Sequence, residues 1–428
     1  MTTEFLPELR YRVAGFLTAE ADGQDDAARD DAWRTLFLLR LTCKDFAQIA
    51  IIKRVLFKEL TLYATEPSAT RVRDADLSFL TPFVQTVTLI PTEYDVDLLF
   101  ADYHALRTSL GENTMPEEEM SRDFTTRHGM ARRDDAVIKN GELARIWGKL
   151  FMQLQAIHSI NVPARIGDHP LLPDLEYDHE VSELRDLIRN RSQDNYHQFF
   201  RTIVECLAYT TPNFKTIDID CEIVNSFRDW TGAAWQQLDL HGLSSLKFTS
   251  FDFWDELDST QRPQRDESIM HAVGRFLTKC SSNLQTFKLD RFVDFPTLEP
   301  PLLTSYGLRG LRFLSLGGLW IISHRLGKDI ANMPHLETIH LRDCKPGDDD
   351  VDWKPVFDAI RHHKMPMYVH FDGCYSQKSN GWEHCNVLMD PAAFDTSLAE
   401  AERDVDRDLI LYLANRGPWT GLLQKTFG

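Results

Sequence analysis

His362, His363, Cys374, His384 and Cys385 crowd into a short stretch near the carboxy terminus, and all five are residue types that bind metals. Zinc wants paired nitrogen or sulfur donors at short fixed gaps. Here the pairs are adjacent residues, whose side chains do not easily converge on one ion, so the sequence predicts surface or core residues and no metal. Asp348, Asp349, Asp350 and Asp352 follow Pro346-Gly347. A calcium loop spreads its ligands over about twelve residues around a Gly and closes with a Glu, so this run is predicted to be an acidic turn. Gly317-Gly318 lacks the spacing of a phosphate-cradling loop. There is no Gly-x-Ser-x-Gly elbow, and Asp and Glu are too numerous for any carboxylate pair to be informative. Neither a catalytic group nor a cofactor is expected.

The polar residues with the most regular spacing lie inside a recurring phrase, Leu-x-x-aliphatic-x-aliphatic. It is clearest at Asn283–Leu289 and His335–Cys344. Leu60/Leu62, Val87/Leu89, Ile217/Ile219, Phe287/Leu289, Ile339/Leu341 and Val369/Phe371 point one way, while Thr61, Thr88, Asp218, Lys288, His340 and His370 point the other. Period-two alternation predicts short strands buried on one face. With the second aliphatic as marker, the strands fall at Leu62, Leu89, Ser159, Ile219, Phe248, Leu289, Leu316, Leu341 and Phe371. Leu238-Asp239-Leu240 competes with Leu246-Lys247-Phe248, and spacing favours the latter. Phe199 to Tyr209 and Ile269 to Thr278 read as helices between strands.

Several intervals match the period of leucine-rich repeats, and Cys344 and Cys374, three residues after their markers, resemble the Asn/Cys position of that repeat. The expected fold class is therefore α/β: an N-terminal helical module (1–55), an irregular leucine-rich-repeat solenoid (56–390) and a C-terminal helical cap (391–428). The alternative is an ordinary α/β domain with a few similar strands. Residues 94–140 and 161–180 are expected to be insertions, the first a solvated loop rich in mixed charge.

The amino-terminal stretch opens on Leu6-Pro7-Glu8-Leu9, with Pro at the first helical position and Glu8 in the first turn. Leu9, Val13, Phe16 and Leu17 share one helical face, and Leu36, Leu39, Cys43, Phe46 and Ala50 share another. Leu38 and Leu41 leave a second apolar edge. These helices could simply cap the open end of a repeat array. The Leu6–Arg10 start, together with Leu39-Arg40-Leu41-Thr42-Cys43-Lys44-Asp45-Phe46, resembles an F-box, and the continuation to Leu60 resembles fungal F-box proteins with leucine-rich repeats. The acidic stretch 18–32 departs from the short joint usual there and reads as a loop.

That resemblance implies a substrate-recognition subunit of an SCF-type (cullin–RING) ubiquitin ligase. Leu6, Pro7, Leu9, Val13, Leu17, Leu39 and Leu41 match the positions that bind a Skp-type adaptor, and through it a cullin. The outward strand residues Asp218, Asp220, Lys247, Lys288, Asp290, His340, Arg342, His370 and Asp372 would hold an unknown protein substrate on the concave face. His340 and His370 occupy matching places and should stand side by side. The alternative is an interaction scaffold outside ubiquitination.

Composition narrows the rest. The chain has 428 residues and a net charge of −18. So acidic a balance argues against general nucleic-acid binding. Seven scattered Cys without a Cys-x-x-Cys suggest reduced thiols. No signal peptide and no apolar run of membrane-spanning length are visible, so a cytoplasmic or nuclear location is expected. A helix from Asp395 to Asn415, stopped by Gly417-Pro418, is predicted to close the carboxy terminus, with Trp419, Leu422 and Leu423 packing back.

Overall fold

The computed structural model describes residues 12–17, 26–42, 46, 48–92, 117–163, 196–210, 214–250, 262–280, 283–291, 306–346, 352–378, 381–401 and 403–427. Its centre is a ten-stranded sheet in which each strand lies beside the next in sequence. The strands are β1 (Glu59–Tyr63), β2 (Thr86–Ile90), β3 (Ser159–Val162), β4 (Thr216–Asp220), β5 (Ser245–Ser250), β6 (Thr286–Arg291), β7 (Phe313–Gly317), β9 (Thr338–Arg342), β11 (Tyr368–Lys378) and β12 (Gly381–Met389). All neighbouring pairs are parallel except the last, β11 with β12. A separate two-stranded pair joins β8 (Trp320–Ile321) to β10 (Lys345–Pro346).

The α/β class holds, but the expectation of a leucine-rich-repeat solenoid does not. The strands belong to one large, mostly parallel sheet in a mixed α/β fold. The connections between strands follow no constant unit: one runs from Ile90 to Ser159 and carries two helices among its described residues, another runs only from Arg291 to Phe313. The sheet also finishes in a long antiparallel hairpin. A recurring strand phrase specifies which side chains point inward; it does not specify what joins one strand to the next.

The inward rows explain why these segments are strands. Val87, Ile160, Ile217, Leu246, Phe287, Leu314, Ile339 and Val369 align in register and are all buried. Leu62 aligns with Leu89, and Val162, Ile219, Phe248, Leu289, Leu316, Leu341 and Phe371 align in turn, all of them buried. Of the expected markers only Ser159 is displaced, because Ile160 and Val162 are the inward pair of β3.

Helices cover this apolar face, apart from the first three, which pack in a core of their own. α1 spans residues 12–17; α2 (Asp26–Thr42), α3 (Ala50–Leu56), α4 (Glu66–Asp74), α5 (Glu117–Lys139) and α6 (Glu142–Gln153) follow. α7 spans residues 196–208. Beyond it come α8 (Cys221–Ser226), α9 (Ala233–Gln237), α10 (Arg262–Cys280), α11 (Ser323–Ala331) and α12 (Lys354–Arg361). Around α7–α10, Phe227, Trp230, Trp235 and Phe276 interlock edge to face, with Phe227–Trp230 and Trp230–Trp235 centroids both 4.7 Å apart. Gly327 of α11 meets α12: a Cβ there would lie 2.5 Å from the Pro355 carbonyl oxygen. Only a missing side chain lets the two helices approach so closely.

Two loop expectations are corrected. α5 occupies the second half of the predicted charged loop 94–140, with Ala131, Asp134 and Ile138 as its buried edge. Its many Glu, Arg, Met and Ala residues favour helix even though its mean polarity reads as loop. Likewise α2 begins at Asp26, inside the stretch 18–32. The predicted C-terminal helix is broken into α13 (Phe394–Glu400) and α14 (Asp404–Leu413), followed by α15 (Gly421–Phe427). Trp353 donates its backbone N–H to Phe427 O, and Leu423 is buried, whereas Leu422 is exposed.

Candidate recognition face

A parallel sheet is normally covered on both faces. Here burial alternates along β2, β3, β4 and β9, so the face opposite the helices carries polar, half-exposed side chains. Register sorts them into rows. One row reads Thr61, Thr88, Asn161, Asp218, Lys247, Lys288, Ser315, His340 and His370. The next, toward the carboxyl ends of the strands, reads Asp220, Thr249, Asp290, Gly317, Arg342 and Asp372.

Adjacent members of these rows pair across strands. Lys247 Nζ lies 2.8 Å from Asp218 Oδ2. Lys288 Nζ sits 5.0 Å from the centroid of the Phe313 ring, within the range of a cation–π contact. The His340 and His370 rings stack with centroids 4.4 Å apart and planes 9° from parallel. Burial, with His370 against it, pushes the pKa of His340 below the ordinary histidine value, which favours the neutral ring.

Arg342 reaches over Gly317 to hydrogen-bond the Asp290 carboxylate. That reach depends on glycine, because a Cβ on residue 317 would collide with Asp290 Oδ1. Asp343, at the end of β9, has φ +50° and donates its N–H to Asp372 O. Cys344 Sγ lies 3.4 Å from Leu316 O and 3.3 Å from Arg342 O, and Cys374 Sγ lies 3.3 Å from Leu341 O. Both thiols are buried and tie one strand end to the next.

All nine expected substrate contacts fall in these two rows, and eight of them are at least partly exposed. Asp220 stands in the same row but is only 1 % exposed, at the point where β4 runs straight into α8. Sequence reasoning missed Phe313, Thr249 and Gly317, which became visible once register was known. Of the metal-binding residue types near the carboxy terminus, three have described side chains. His362 Nδ1 is 2.8 Å from Asp358 O, His363 is held between Met365 O and Met333 O, and Cys374 is buried. The Asp348–Asp350 turn lies outside the described residues, as do Leu6, Pro7, Leu9 and Cys43.

The amino-terminal helices have their own small core of Ala14, Ala32, Leu36, Phe46, Ile49, Ile52 and Leu56, against which Val13, Leu17 and Leu39 are half-buried. These three expected adaptor contacts thus also hold the module together. Leu41 points outward, 64 % exposed, as does Phe16. Trp33 and Phe37 are also exposed, stacked on each other at 5.6 Å. The small core ends at Leu56, and Phe57 belongs to the main one.

No helix among the described residues is long and apolar enough to cross a membrane. No protein-family model matches the chain, and no curated protein matches it in sequence.

Proposed function

We propose that this protein is a substrate-recognition subunit of an SCF-type ubiquitin ligase, working in the cytosol or nucleus. Its amino-terminal helices dock on a Skp-type adaptor, and the polar face of its sheet holds a protein substrate. The observation that carries this is the pairing of a helical module, with its own core and outward apolar side chains at Phe16, Trp33, Phe37 and Leu41, with a sheet whose charged side chains stand in ordered rows. Apolar anchors of this kind are the groups from which protein interfaces draw most of their energy. No chemistry is required of this chain: it raises the concentration of the substrate near the ubiquitin-conjugating enzyme.

Co-expression with a Skp-type adaptor tests the first half. The wild-type chain should co-purify with it, and Phe37→Glu/Leu41→Glu should abolish capture while leaving the circular dichroism spectrum unchanged. Undiminished capture by that variant would place the adaptor site elsewhere. If the wild-type chain captures no adaptor, the protein is an interaction scaffold outside ubiquitination.

A further inference from the structure

We propose that His340, His370 and Asp372 form a divalent transition-metal site, zinc by its donor chemistry, on the open face of the sheet between β9 and β11. His340 lies directly across from His370 in the parallel register, and Asp372 stands on the same side of β11 two residues further on. One donor atom from each lies within 4.8 Å of the other two. Zinc accepts imidazole nitrogen and carboxylate oxygen, and three protein donors leave a fourth position open. Bonds of about 2 Å place tetrahedral donors roughly 3.3 Å apart. The His340 and His370 rings turn out of their parallel stack to aim one nitrogen each at the ion, and the exposed Asp372 side chain rotates to close the gap.

Two features leave these donors available. Arg342, the cation nearest in the row, is engaged by Asp290 on the side away from Asp372. The Asp372 carboxylate makes no hydrogen bond or ion pair among the described residues. The third donor is conspicuous for a different reason. His340 Nε2 is buried and has no hydrogen-bond partner among the described residues, a situation that calls for an explanation in a folded protein. A metal ion uses the ring that the protein leaves unsatisfied. The site has no short-gap sequence signature, because the ladder between β9 and β11 does the work that ligand spacing does in a zinc loop. It is independent of adaptor docking, and its open position would be filled by water or by a side chain of whatever binds the sheet face.

The full-length chain, stripped with a chelator, is titrated with Zn²⁺ against a chromophoric competitor and, separately, with Co²⁺. One equivalent should bind at this site, and Co²⁺ should show the visible bands of a four-coordinate ion without a thiolate charge-transfer band. His340→Gln, His370→Gln and Asp372→Asn should each weaken Zn²⁺ binding tenfold or more, whereas His362→Gln and His363→Gln should not. No uptake by the wild-type chain, a thiolate band, or unchanged affinity in the three ligand variants would each overturn the assignment. Should His340→Gln fail to fold, the exposed Asp372→Asn decides the matter together with the wild-type Co²⁺ spectrum.

Discussion

Replacing Gly317 with Ala isolates what the Asp290–Arg342 pair contributes. The added Cβ takes the position of Asp290 Oδ1, so the carboxylate must swing away and the Asp290–Arg342 hydrogen bond is lost. The two side chains are 22 % and 27 % exposed, between a surface pair, worth about 0.2–1 kcal/mol, and a fully buried hydrogen bond to a charged group, worth about 1.5–3 kcal/mol. A loss of about 1–2 kcal/mol follows. Against it stands a gain of about 0.4–1 kcal/mol, because Ala restricts the unfolded chain more than Gly does, and residue 317 does not have the positive φ that would strain Ala. The net cost in urea denaturation should be about 1 kcal/mol. In an Asp290→Ala background the collision disappears, so the same substitution should become mildly stabilising. A double-mutant cycle reads that change of sign directly. If Gly317→Ala costs as much without Asp290 as with it, the glycine is there for some other reason and the reasoning fails.

Other perturbations follow from the same geometry. Gly327→Ala should push α11 from α12 and cost about 1–3 kcal/mol as an overpacked contact; an unchanged melting temperature would show that the helices separate freely. Asp134, which accepts the Glu66 N–H at 2.6 Å and lies 3.4 Å from Thr92 Oγ1, has its pKa raised mainly by burial. A raised carboxyl favours the fold while protonated, and that contribution is lost as pH rises through its folded pKa. The stability of Asp134→Asn relative to wild type should therefore improve as pH climbs above about 4, and a difference independent of pH in thermal melts would contradict this. Once a protein partner of the sheet face is known, Lys288→Glu and Arg342→Glu should each weaken its binding, read by calorimetry; unchanged affinity in both, with the fold intact, would move the contact off this face.

The strands were legible because alternation is a local property. Leu-x-x-Phe-x-Leu at 284–289 fixes which side chains face the helices without reference to anything distant, and matching places predicted that His340 would stand beside His370. Ser159 was misplaced because Ile157 and Ile160 interrupt the period of two and hide the inward pair Ile160 and Val162. Connections were not legible in the same way. α5 buries little more than Ala131, Asp134 and Ile138 along one edge, too faint an apolar stripe to distinguish helix from charged loop. The solenoid expectation fails for a related reason: similar strands do not imply similar units, and the segments between them differ in length and content. Within the candidate site, residue identities were legible but pairings were not. Nothing in the local sequence says that Arg342 answers to Asp290 across an intervening strand, or that Asp220 is buried.

The sequential order of the strands sets where this chain tolerates change. Each strand pairs with the next, so a longer connection alters only the entropy of closing one loop. Doubling a flexible loop costs only about 0.6 kcal/mol, little beside the register that nine neighbouring strand pairs impose on the sheet. The passages from Ile90 to Ser159 and from Val162 to Thr216 are thus places where the chain can absorb whole segments while the rows from Asp218 to His370 stay aligned. Variation in these crossings can alter what surrounds the face without moving the residues that compose it.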